Sequence, residues 1–153
     1  MTKRTTAALL AMVVAALALG LSAVQRGAAQ TGGSVPSIAP GGATGGQFKL
    51  AVVLSQSDPE TAFNAFRVAQ YALDAGDDVS VFLIGKGVDL DRIDDATYNV
   101  KEKAQAYQAA GGKILACGTC LQMHGSSGSK LCPVSTMKDL YDLIRSSDRV
   151  LTF

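Results

Sequence analysis

Past Phe48 the apolar residues fall into two alternating rhythms. Lys49–Ser55 (KLAVVLS) and Val79–Ile84 (VSVFLI) are short, almost continuous apolar runs, as expected of strands buried on both faces. Between them Ala62, Phe63, Phe66, Ala69 and Leu73 recur at helical spacing. Asp58-Pro59-Glu60 supplies an N-cap, a proline at the first helical position and an acid in the first turn, and Gly76 stops the helix. After Gly85-Lys86-Gly87, an Asp-rich stretch (Asp89, Asp91, Asp94, Asp95) leads to a helix over Asn99–Ala110, closed by Gly111-Gly112. Lys113–Ala116 begins a third strand. Ser135 is the expected cap of a last helix carrying Met137, Leu140, Tyr141 and Ile144, and Arg149–Phe153 reads as a terminal strand.

Strand and helix alternate throughout. The expected fold is α/β: a single doubly wound domain over 48–153, with a mostly parallel sheet of four to five strands and helices on both faces. In such sheets sites gather at the carboxyl ends of the strands. Ser55-Gln56-Ser57, Gly85-Lys86-Gly87 and Cys117-Gly118-Thr119-Cys120 should therefore converge on one edge.

The residues before Phe48 belong to another regime. Lys3 and Arg4 precede an apolar run from Ala7 to Val24, and small residues follow at Gly27, Ala28 and Ala29. This is the pattern of a signal peptide over 1–29, with export to the periplasm; an uncleaved membrane anchor is the alternative. No Cys follows the run, which argues against a lipid-anchored lipoprotein. Residues 30–47 hold six Gly and no charge, with Pro36 and Pro40, and read as a flexible linker. With the leader removed, 11 basic residues face 13 acidic ones. No basic surplus remains for nucleic acid, and membrane contact is expected only during export.

Chemistry is concentrated in sixteen residues. Cys117, Cys120 and Cys132 are the only cysteines and His124 the only histidine. The spacing C-x2-C-x3-H-x7-C leaves several readings open. Free Cys are often small buried hydrophobes. A closed Cys3His zinc site has the right ligand types, although the domain has a full core and needs no metal to fold. A dithiol redox centre uses CxxC, but thioredoxin-like proteins place it after the first core strand at a helix N-terminus. Here it follows the third strand, and the Gly- and Ser-rich loop Gly125–Ser129 interrupts any helix after it. Gly85-x-Gly87 lacks the rest of a dinucleotide fingerprint and reads as a strand-end turn, and the Asp cluster lacks the pattern of a calcium loop and reads as an acidic, solvated surface. Tyr98, Tyr107 and Tyr141 fall on helical faces, for core packing or an oligomer interface.

The run Lys113–Leu121 (KILACGTCL), closing a strand–helix–strand unit, resembles the DsrE/DsrF-like family of small sulfur-handling proteins. KLAVVLS, the Val79–Gly87 strand with its Gly-Lys-Gly end, Leu131–Leu140 (LCPVSTMKDL) and Asp148–Phe153 agree with it. The resemblance implies a homo-oligomer, typically a trimer or hexamer. It also implies a Cys after the third strand that accepts sulfane sulfur as a persulfide and passes it to a partner. Cys117 matches that position. Cys120 and Cys132 go beyond the one-cysteine relay pattern, and Cys120 would resolve a Cys117 persulfide as a disulfide. The catalytic set is then Cys117, Cys120 and Cys132, with no cofactor and no metal, in a carrier rather than a free-standing enzyme. Its partners would be sulfur donor and acceptor proteins or small sulfur compounds. Lowering the Cys117 pKa would fall to the Gly118-Thr119 amides and to Lys86, with His124 a weaker candidate on a loop.

Overall fold

A computed structural model describes residues 47–153. The expected leader over 1–29 and all of the linker over 30–47 except Gln47 lie outside the described residues. Among the described residues no helix is long and apolar enough to cross a membrane.

The chain runs β1 (Lys49–Leu54), α1 (Pro59–Asp74), β2 (Asp78–Leu83), a 3-10 helix (Gly85–Arg92), α2 (Val100–Ala109), β3 (Lys113–Cys117), α3 (Gly118–Met123), β4 (Val134–Ser135), α4 (Met137–Ser146) and β5 (Arg149–Thr152). All five strands are parallel, in the order β4-β3-β2-β1-β5. The α/β fold read from the alternation is thus the fold observed. From β1 the chain advances one strand at a time to β4, then reverses to reach β5 on the far side of β1. Because parallel crossovers are right-handed, that reversal puts α4 on the face opposite α1 and α2.

Leu50, Val52 and Leu54 of β1 join Ala62, Ala65, Phe66 and Ala69 of α1 in the main core. Ring centroids of Phe66 and Tyr107 lie 5.8 Å apart, edge to face, and the Tyr107 hydroxyl donates to the Val79 carbonyl at 2.7 Å. That bond satisfies the one polar atom of a fully buried tyrosine. The opposite face is thinner. Leu140 and Leu143 of α4 pack on the sheet, while Met137, Tyr141 and Ile144 stay exposed on a neighbouring stripe.

Local codes set the helix ends. Asp58 accepts from the Thr61 amide at 2.8 Å, with Pro59 behind it. Asn99 caps α2. The cap of α4 is Thr136 and not the expected Ser135: Thr136 has Asp139 three residues on and completes a reciprocal capping box, while Ser135 is the last residue of β4 and adds a bond to the same carboxylate. Gly85-Lys86-Gly87 is more than a strand-end turn, since it opens the 3-10 helix.

Parallel register puts Leu54, Leu83 and Ala116 level, so the carboxyl ends of β1, β2 and β3 share one edge. Gly87 lets the 3-10 helix fold back over that edge. A Cβ there would sit 2.1 Å from the Leu54 carbonyl oxygen. Gly87→Ala is expected to cost about 1–3 kcal/mol through overpacking, read as a lower urea midpoint at unchanged m-value.

Candidate functional site

Cys117 has two structural roles at once. It ends β3, pairing with Ser135 of β4, and it is the N-cap of α3. Its Sγ accepts from the Cys120 amide at 3.3 Å, doing with sulfur what a Ser or Asp oxygen usually does at a cap. CxxC therefore does open a helix, as thiol-redox centres do, although a short one. Gly125, at positive φ, follows the end of α3.

The same turn brings the Cys120 Sγ to 2.7 Å from the Cys117 Sγ. Both cysteines are free thiols, Cys117 buried and Cys120 half-buried. Burial pushes the Cys117 thiol up, and the thiol hydrogen bond with Cys120 adds to this. The amides of Cys120 and Thr119 pull it back down. The thiol stays above its ordinary value, so the lowering expected from the Gly118-Thr119 amides is not met: the amides that act are those of Cys120 and Thr119, and burial outweighs them. Lys86 is exposed in the first turn of the 3-10 helix, and His124 is engaged elsewhere.

His124 follows α3, and its Nδ1 lies 2.7 Å from an Asp89 carboxylate oxygen. Arg92 bonds the other Asp89 oxygen at 3.0 Å and donates to the carbonyls of His124 at 2.7 Å and Gly125 at 3.3 Å. Arg92 thereby satisfies carbonyls left open at the end of α3 and ties the helix to the 3-10 segment. Sequence reasoning missed this clasp, reading the Asp cluster as solvated surface. Asp91 takes part in a second clasp, accepting from the Ser129 hydroxyl. Asp95 accepts from the amides of Thr97 and Tyr98.

Cys132 is placed apart from the pair. It is buried beside Ser129, whose hydroxyl oxygen accepts from the Cys132 and Leu131 amides at 2.9 and 3.1 Å. Burial first, and then the charge of Asp91, push its thiol up to about 12. Among the described residues no group of three or more His, Cys, Asp or Glu side chains could hold a metal ion. The Cys117/Cys120/His124/Cys132 set of the zinc reading does not assemble, because His124 turns to Asp89 and Cys132 packs into the core. A cleft of about 400 Å³ runs beside α3, bounded by Gly118, Leu121, Gln122, Ser126 and Val134. It reaches the residue next to Cys117.

A buried thiol that resists ionisation makes stability depend on pH. Below about pH 9 Cys132 is protonated in both folded and unfolded chains, and its contribution is complete. From about 9 towards about 12 the unfolded chain releases the proton and the folded one holds it, so stability falls. The urea midpoint of the wild type is expected to drop across that window, and that of Cys132→Val to drop less.

A model of the DsrE/DsrF-like family matches residues 49–153. The uncharacterized protein MK0008 of Methanopyrus kandleri is 32% identical over 112 residues, covering 68% of this chain and 93% of that protein. The uncharacterized protein MJ0989 of Methanocaldococcus jannaschii is 28% identical over 113 residues, covering 69% and 99%. Among solved structures, a conserved protein of unknown function from Bacteroides thetaiotaomicron, BT1422, superimposes with a TM-score of 0.56. It shares 18% identity and covers 69% of this chain and 94% of its own, a likeness of fold. With the match running from the start of β1 to the last residue, the chain belongs to the DsrE/DsrF-like family of sulfur-relay proteins.

Proposed function

We propose that this protein is an exported sulfur carrier that takes sulfane sulfur onto Cys117 as a persulfide and delivers it to an acceptor. The observation that carries the reading is the position of Cys117. It stands at the carboxyl end of β3, capped by first-turn amides and next to a second thiol, in a family of sulfur relay. The N–H groups of Thr119 and Cys120 favour a thiolate there, against the burial that opposes it. Cys132, with its thiol pushed up to about 12 and bonded into the loop, serves packing in this reading. Export rests on Lys3, Arg4, the Ala7–Val24 run and the small residues at 27–29.

Intact mass of the native protein incubated with inorganic polysulfide tests these points together. Leader removal gives an N-terminus at Gln30. Sulfur taken from polysulfide, whether bound or released as sulfide, is expected to disappear in Cys117→Ser and persist in Cys132→Ser. Undiminished uptake by Cys117→Ser would sink the carrier reading.

Self-assembly is part of the same proposal. No residue of α4 is buried within one chain, and Met137, Tyr141 and Ile144 form an exposed apolar stripe at i, i+4 and i+7. The edge strand β5 adds Val150 and Leu151, also exposed. Light scattering is expected to find an oligomer of the wild type and a smaller species for Tyr141→Asp, with sulfur uptake retained.

A further inference from the structure

The spacing of two thiols decides what happens after loading. A persulfide on Cys117 has its inner sulfur where the Cys117 Sγ now stands. The Cys120 Sγ is 2.7 Å from that position, against about 2.05 Å in a disulfide. Both side chains belong to one helical turn, and the Cys120 amide already points at the same sulfur. The nucleophile nearest to a loaded Cys117 is therefore built into the chain, where it competes with any external acceptor.

We infer, resting on the carrier reading above, that Cys120 discharges the Cys117 persulfide, releasing the carried sulfur as hydrosulfide and leaving a Cys117–Cys120 disulfide. Cys120 gives its proton to water and attacks the inner sulfur. The Cys117 Sγ–Cys120 Sγ bond forms while the bond to the outer sulfur breaks, and the outer sulfur leaves with the bonding pair as HS⁻. The sulfane sulfur gains two electrons and the two cysteines lose two. A dithiol reductant then restores both thiols by exchange and is itself oxidised to a disulfide.

Attack on the outer sulfur is the competing course, and it would move the persulfide to Cys120. Its leaving group is the Cys117 thiolate, and burial makes that a poor one. Attack on the inner sulfur expels hydrosulfide, the anion of a stronger acid than an alkyl thiol, which leaves faster. Burial of Cys117, which works against its ionisation, thus favours release over internal transfer. The substrate class follows: a persulfide or polysulfide enters, sulfide leaves, and a dithiol resets the centre. The oxidised form cannot be loaded again until it is reduced, so turnover is tied to a supply of thiol reductant.

The test uses the full chain, fully reduced, loaded with inorganic polysulfide and desalted at once. Sulfide and intact mass are then followed without reductant in wild type, Cys120→Ser and Cys120→Ala. The wild type is expected to release one sulfide per chain while passing from a mass heavier by one sulfur to one lighter by two hydrogens. Both variants are expected to keep the added sulfur and to release sulfide about tenfold more slowly, or less. A wild type that holds its sulfur as long as the variants overturns the inference and leaves the carrier reading standing. A chain that takes up no sulfur in any form overturns both.

Discussion

Everything distinctive about this molecule depends on one sulfur atom being asked to finish a strand and start a helix. Because the Cys117 Sγ accepts the Cys120 amide, the backbone turns sharply at the end of β3 and α3 begins without a conventional cap. The turn fixes the positions of both thiols, since a helix opened by one cysteine returns its third residue to the same side. Structure and chemistry are thus set by a single interaction. A serine at 117 would keep an acceptor for the amide and lose only the sulfur, so substitution there can separate the two roles.

The surroundings of that atom pull in opposite directions. Packing at the sheet edge buries Cys117 and raises the cost of charge, while the Cys120 and Thr119 amides favour the thiolate. In a sheet with both faces covered, the carboxyl edge is where backbone donors remain free after the last strand pairing, and a thiol placed there meets them. The loop after α3 is kept in place by tethers from the Asp-rich segment. Asp89 and Arg92 hold the end of α3, and Asp91 holds Ser129 at the entrance to β4. These carboxylates lie far from the cysteines in sequence and still decide their setting.

Much of this was legible in the chain because it is coded locally. The runs KLAVVLS and VSVFLI, the Asp58-Pro59 cap and the Asn99 start of α2 each need only neighbouring residues to be read. The CxxC pair was legible too, as a spacing that allows two thiols to meet. The start of α3 was not. Gly118, Thr119 and Cys120 are weak helix formers, and only Leu121 buries itself, so no periodicity announces a helix. The helix forms through a sulfur cap and packing on the 3-10 segment. β4, two residues long, is too short to leave a pattern. The Asp89–His124 pair joins residues 35 apart and appears only once the sheet is built. Thr136 was readable in retrospect: Asp139 stands three residues after it, and that spacing selects Thr136 over Ser135.

Cys120 and Cys132 show why composition alone cannot assign a cysteine's task. Each lies near Cys117 in sequence, and each exceeds what a one-cysteine relay needs. Cys120 is half-exposed on the first turn of a helix, with its sulfur against the capping sulfur. Cys132 sits in the core with Asp91 nearby, and a thiolate there would face a carboxylate in a dry site. Burial raises both the Cys117 and the Cys132 thiol; turn amides offset part of it at Cys117, whereas the charge of Asp91 adds to it at Cys132. The acidic segment therefore does more than carry charge. It holds His124 through Asp89 and the Ser129 loop beside Cys132 through Asp91, while Cys117 and Cys120 lie against each other at the start of α3.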